Sequence, residues 1–218
     1  SAAQKIDYFL INSTEVKNRL EKHYKRDGIV IYPPVDVERF KTESNLKKED
    51  YYLIVSRLSG YKKIDLAVQA FNKLGKKLKV VGDGPQMDYL KTIAAPNVEL
   101  LGRLEDKKVT QLIINCKAFI FPALEDFGIV VVEAQAAGKP VIAFGQGGSK
   151  ETVVDGKTGL FFQEQTPKSI IEAVKKFETM KFDPEVCKKQ AEKFSESVFK
   201  KNMIEFVSKV VKERSLKI

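Results

Sequence analysis

Residues 117–144 read KAFIFPALEDFGIVVVEAQAAGKPVIAF. KAFIFP (117–122) is a short apolar, aromatic run closed by proline, the composition of a buried strand. FGIVVVEAQAAG (127–138) is longer and ends on glycine, as a helix does. KPVIAF (139–144) is a second apolar strand. Strand, helix and strand in so short a stretch is a crossover unit, and crossover units build parallel sheets.

The same alternation extends outward on both sides. DYFLIN (7–12), GIVIY (28–32), YYLIVS (51–56), KLKVVG (77–82) and NVELLG (97–102) read as strands. STEVKNRLEKHY, IDLAVQAFNKLG, PQMDYLKTIA and EDKKVTQLIIN read as the helices between them. The strands are apolar on both faces, as in a sheet covered on two sides. The expected class is α/β: a Rossmann-like parallel sheet with flanking helices and a helical C-terminus. Thr166-Pro167 and Asp183-Pro184 each place a capping side chain before a proline at the first helical position. Ser195 or Ser197 opens the last helix.

A boundary falls where YPPVDVERFKTESNLKKED (32–50) combines two prolines with a polar run, a connector composition. Residues 1–34 are too few to fold alone. They are expected to be the tail of an N-terminal domain whose beginning is missing. Residues 35–182 would form the Rossmann-like unit and 183–218 the C-terminal helices. The chain starts on Ser1 rather than Met, which points to a trimmed chain.

Composition narrows the function. Of 218 residues, 43% are hydrophobic and 31% charged, a globular balance. AFIFPAL and FGIVVV are far too short to span a bilayer, and SAAQKIDYFLIN is not a secretory signal. Cys116 and Cys187 suit neither a disulfide framework nor a zinc site, so a reducing, cytoplasmic setting is expected. The net charge of +9 comes mostly from scattered lysines. A solvated surface explains them; attraction to phosphate-bearing ligands or to an anionic membrane on its inner face is the sharper alternative. Nucleic acid is not expected, because no recognition motif and no arginine–aromatic interleaving occur.

Ligands of open parallel sheets bind at the carboxyl ends of the strands. Those loops carry Arg57 and the pair Lys62–Lys63, then Gly82-Asp83-Gly84-Pro85, then Gly102, then ALEDFG (123–128), then GQGGS (145–149). Phe127-Gly128 opens a helix, so the amides of Gly128, Ile129 and Val130 would be free donors for an anion. Arg57 and Lys62 would assist a phosphate there. Glu125 and Glu133 would repel it and should face neutral hydroxyls instead. Phosphates in the middle with hydroxyl-rich groups at both ends describe a nucleotide diphosphate sugar. Each feature has a plainer reading as a solvated loop residue, a tight turn or a helix acid; their joint occurrence at consecutive strand ends favours the ligand.

These stretches, from DYFLINSTEV through SRLSGYKKIDLAVQAF, VGDGP, NVELLGRL and FPALEDFGIVVVEAQAAGKPVIA to FDPEVCKKQAEKFS, resemble the donor-binding C-terminal half of retaining glycosyltransferases of family 4, with the GT-B fold. EDFG, SRLSxYKKID and GKPVIAFGQGG are most similar to the O-antigen mannosyltransferase branch. The resemblance implies that Arg57 and Lys62 neutralise the diphosphate leaving group and that Glu125 holds hydroxyls of the transferred sugar. It implies that Glu133 binds the ribose hydroxyls and that amides around Phe127, Gly128 and Ile129 contact the phosphates. Turns at Gly82, Gly84 and Gly102 would border the base. Lys63 stands where the family often has glycine. GDP-mannose is the favoured donor, and a glycan or lipid-linked acceptor would be held by the missing N-terminal domain.

Fixed Arg and Lys charges replace a metal in this scheme. The chain contains no Asp-x-Asp pair, and neither metal nor separate cofactor is expected. The fragment alone should bind donor and transfer sugar poorly. A non-catalytic nucleotide-sugar-binding subunit of a two-chain transferase is the alternative. A nicotinamide-dependent dehydrogenase would need a complete GxGxxG, and VGDGP supplies only GxG.

Overall fold

The computed structural model describes residues 2–40 and 49–215. The stretch 41–48, the polar part of the expected connector, lies outside the described residues. Eight strands and nine α-helices alternate among the described residues: β1 (Leu10–Ile11), α1 (Thr14–Tyr24), β2 (Ile29–Val30), β3 (Tyr52–Val55), α2 (Ile64–Leu74), β4 (Leu78–Val81), α3 (Met87–Ile93), β5 (Val98–Gly102), α4 (Asp106–Asn115), β6 (Ala118–Phe121), α5 (Ile129–Ala136), β7 (Val141–Phe144), α6 (Ser149–Thr152), β8 (Gly159–Phe162), α7 (Pro167–Glu178), α8 (Pro184–Glu192) and α9 (Glu196–Ser215).

β3 to β8 form one fully parallel sheet in the order β5-β4-β3-β6-β7-β8. The chain starts in the middle at β3, winds outward to β5, then returns to β6 and winds the other way. The direction reverses between β3 and β6, the doubly wound arrangement whose crevice receives ligands. β1 and β2 pair in a separate two-stranded parallel ribbon.

Alternation along each strand builds two cores. Ala118 and Ile120 of β6 face one side with Tyr52, Ile54, Leu78 and Val80, under α2, α3 and α7. Phe119 and Phe121 face the other side with Leu53, under α4, α5 and α8. α2 shows why these helices form: its buried Ile64, Ala67, Val68 and Phe71 make one stripe, and Gly75 ends it at φ 65°. α5 has no such stripe. Its IVVVEAQA run is apolar all round because it lies between the sheet and α8.

The proline caps hold. Thr166 accepts from the Ser169 amide and Asp183 from the Glu185 amide, with Pro167 and Pro184 following. Ser195 opens α9, accepting from the Val198 amide at 3.4 Å.

Two elements differ from the sequence reading. β8 was not expected, because GLFF is a bare edge run with only the one-turn α6 before it. Residues 35–40, which carry connector composition, are part of a core: Val35, Val37 and Phe40 are buried, and Val35 bridges to Ser195. Residues 10–32 make polar contacts with α6 and with the loop after β6. The Glu151 carboxylate accepts from the amides of Thr14 (2.9 Å) and Glu15 (3.2 Å) at the start of α1 and from the Tyr32 hydroxyl (2.9 Å). Arg19 pairs with Asp126 at 2.7 Å. Among the described residues no helix is long and apolar enough to cross a membrane.

Candidate donor site at the carboxyl edge of the sheet

Strand order puts two loops beside each other at the reversal point: residues 56–63 after β3 and residues 122–128 after β6. The first carries Arg57 and Lys62; the second carries Glu125, Phe127 and Gly128. Neighbouring loops brace both. VGDGP packs on the β3 loop, where Leu58 donates its N–H to the Asp83 carbonyl at 2.9 Å and Gln86 donates to the Leu58 carbonyl at 2.9 Å. A Cβ on Gly82 would sit 1.8 Å from the Ser56 carbonyl oxygen, so only glycine allows this approach. Gly84 lies against Leu58, and Gly82 donates to the Gly102 carbonyl at 2.8 Å. GQGGS packs on the β6 loop in the same way. Gly148 donates to the Glu125 carbonyl at 2.8 Å, and a Cβ there would lie 2.3 Å from the Phe127 Cα.

Gly128, at φ 83°, caps α5. The Val131 amide returns to the Gly128 carbonyl at 2.9 Å, and among the described residues no acceptor serves the amides of Gly128, Ile129 and Val130. These are the unpaired donors of a helix start, where the dipole favours an anion. Phe127 contributes backbone only. Its ring is buried, stacked on Tyr32 at 5.6 Å and edge-on to Phe194 at 5.4 Å.

Lys62 ion-pairs with Glu125 across the two loops. Both side chains are mostly buried, at 15% and 23% exposure, and desolvation lowers the Lys62 pKa. Lys63 has φ 57°, a left-handed conformation that glycine adopts freely, and Lys62 is the lysine that reaches Glu125. The expected division gave the cation to a phosphate and the acid to hydroxyls. In the structure the two satisfy each other. A lysine has three donors, so Lys62 can keep Glu125 and still meet a phosphate, while cancelling the repulsion that Glu125 would exert. Arg57 is exposed and has no side-chain partner among the described residues.

Glu133 lies one turn into α5. It pairs with Arg39 at 2.6 Å, a residue that sequence reading did not single out. Desolvation raises the Glu133 pKa and Asp106 and Asp36 add to it, while Arg39 opposes them. Arg39 stands 94 positions away in a stretch of connector composition. Its only local signal is the apolar pair Val37 and Phe40 around it.

The chain is an α/β domain with a doubly wound parallel sheet, and a free helix start and two cations lie at the point where the winding reverses. Residues 34–194 match the glycosyl transferases group 1 family, and the chain belongs to that family. It is 31% identical over 198 residues to an uncharacterised glycosyltransferase of Methanocaldococcus jannaschii, covering 87% of this chain and 56% of the relative. It is 32% identical over 202 residues to the alpha-1,3/1,6-mannosyltransferase ALG2 of Dictyostelium discoideum, covering 70% and 48%. The chain thus spans about half the length of these relatives. Anabaena HepE in complex with UDP and glucose superposes with a TM-score of 0.77 at 22% identity, covering 92% of this chain and 62% of that one. The lipopolysaccharide outer core galactosyltransferase WaaB gives 0.80 at 20%, covering 94% and 63%. At these identities the two structures show the shared fold.

Proposed function

We propose that this chain is the donor-binding half of a retaining family 4 hexosyltransferase that moves mannose from GDP-mannose to a glycan or lipid-linked acceptor. The observation that carries the proposal is the meeting, at the sheet's reversal point, of the open α5 start with Arg57 and the Lys62–Glu125 pair. Similarity to ALG2 favours mannose, and the HepE complex supports a nucleotide-sugar donor in this fold.

In this reading the diphosphate sits on the amides of Gly128, Ile129 and Val130. Arg57 and Lys62 take up the negative charge that grows as the bond from anomeric carbon to phosphate oxygen breaks and its electron pair leaves with the diphosphate. The acceptor oxygen bonds to the same face of the oxocarbenium-like sugar and passes its proton to the departing phosphate. Glu125 holds sugar hydroxyls and Glu133 the ribose hydroxyls. The cations do the work of a metal, so donor binding needs none. The acceptor would be held by an N-terminal domain acting at the cytoplasmic membrane face.

A thermal-shift panel with GDP, UDP, ADP and their sugars tests this, with and without a chelator. GDP and GDP-mannose should raise the melting point most, and the chelator should change nothing. A larger shift with UDP would replace the base and sugar. No shift with any nucleotide would remove the donor assignment.

A further inference from the structure

We propose that Arg39 is a positioning residue for the donor: it holds Glu133 ionised by one oxygen and turns the other toward the ribose diol. The proposal rests on reading Glu133 as the ribose acceptor and adds the group that makes it one.

The pair is built, not incidental. Arg39 sits in the single turn Glu38–Phe40, whose start is fixed by the Asp36 carboxylate accepting the Arg39 amide at 3.2 Å. Val37 and Phe40 anchor that turn in the core, and the guanidinium lies 4.7 Å from the centre of the Phe40 ring. The cation therefore reaches Glu133 from a rigid base.

The contact is also incomplete on both sides. Arg39 engages Glu133 through one terminal nitrogen and one oxygen, Oε1, and among the described residues Glu133 Oε2 has no partner. Arg39 Nε is buried without a partner. A pair serving stability alone would close both gaps by the bidentate geometry that arginine and carboxylate prefer. A spare acceptor beside a spare donor suits hydroxyls, which donate and accept. The charges that reach Glu133 are Arg39 and Asp36 from the segment before β3 and Asp106 from the start of α4. Two of these are negative, and burial acts in the same direction. Without Arg39 the acid would protonate at higher pH and offer the diol one O–H donor and a neutral acceptor in place of a charged carboxylate.

The test measures affinity of the full chain for GDP and for 2′,3′-dideoxy-GDP, from neutral to mildly acidic pH. It uses the parent, Arg39→Ala, Arg39→Lys, Glu133→Gln and the Arg39→Ala/Glu133→Gln double variant. Arg39→Ala should weaken GDP about tenfold, the loss of one charge-assisted bond. The loss should grow as pH falls, dideoxy-GDP should be unaffected, and the double variant should be no worse than Glu133→Gln. Arg39→Lys, which keeps the charge and the fold, should recover most of the affinity. Equal weakening of both nucleotides with no pH dependence would make Arg39 merely structural and overturn the proposal. Tighter GDP binding would show Arg39 as an occupant that the donor displaces, and would also overturn it. If Glu133→Gln fails to discriminate GDP from its dideoxy form, the ribose reading itself falls. If Glu133→Gln discriminates and Arg39→Ala does not, only the role of Arg39 falls.

Discussion

The two ends of the same sheet carry similar charges and use them differently. At the amino edge Glu178 accepts from the Tyr52 hydroxyl and from Lys117 at 2.9 Å, and lies 3.1 Å from Lys76. Lys117 also reaches Asp50 at 3.1 Å. Burial pulls the Glu178 pKa up, but the bonds from Tyr52, Lys117 and Lys76 outweigh it and hold the pKa at about 2. At the carboxyl edge Lys62 meets one acid, Arg39 and Glu133 share one contact, and the α5 amides are open. Two grooves, of about 440 and 490 Å³, lie at the amino edge around the satisfied network. Space alone therefore does not mark the site. Spare hydrogen-bonding capacity is what distinguishes the proposed donor site, because a closed network has nothing left to offer a ligand.

The hardest way to break this contrast is to part the carboxyl-edge loops. Gly148→Val puts a Cβ 2.3 Å from the Phe127 Cα and 2.4 Å from the Asp126 carbonyl oxygen, backbone atoms that cannot swing aside. The expected cost is above about 3 kcal/mol, a fall of about 10 °C in Tm, with nucleotide binding lost. A variant that melts with the parent would show the seam to be loose. Lys62→Met comes next and should separate binding from stability. It should weaken a nucleoside diphosphate by about 10- to 100-fold in titration calorimetry. Ligand-free Tm should move little, since Glu125 retains access to water.

Glu178→Gln should behave in the opposite way. It should cost about 1–2 kcal/mol and leave nucleotide affinity unchanged. The sign of its pH effect follows from the depressed pKa. The parent holds this stabilisation above the ordinary value of 4.5 and loses it as pH falls toward about 2. The variant should lack that decline, so the two melting curves should converge in acid. A variant that instead weakens nucleotide binding would break the separation of the two ends.

Much of this was legible before any coordinates. Strands apolar on both faces, capped helices and the loops after them follow local rules, so the sheet and the positions of Arg57, Lys62, Glu125 and Gly128 could be read directly. The pairings could not. Arg39 meets Glu133, Arg19 meets Asp126 and Glu151 caps α1 only because strand order folds distant stretches together. The role of GQGGS was hidden for the same reason: its glycines answer to the backbone of another loop, not to a turn of their own. β8 was missed because an edge strand of four residues lacks the flanking periodicity that identified the others.

Tyr52→Phe is the finest test of the contrast, because one strand carries both ends of it. Tyr52 starts β3, and Arg57 lies just beyond the other end, about 17 Å away at the rise of an extended chain. Burial, then the Glu178 contact, raises the Tyr52 pKa, so the phenol stays protonated and donates. The substitution removes one donor from Glu178 and leaves Lys76 and Lys117 in place. It also keeps the ring contacts with Phe71 at 5.0 Å and Phe177 at 6.0 Å. The expected loss is about 0.5–1.5 kcal/mol in Tm analysis, with GDP affinity unchanged. Combined with Glu178→Gln it should cost less than the sum of the two, because both remove the same bond. An additive loss would mean that the hydroxyl serves another partner. A fall in GDP affinity would mean that strain at the amino edge travels along β3 to Arg57.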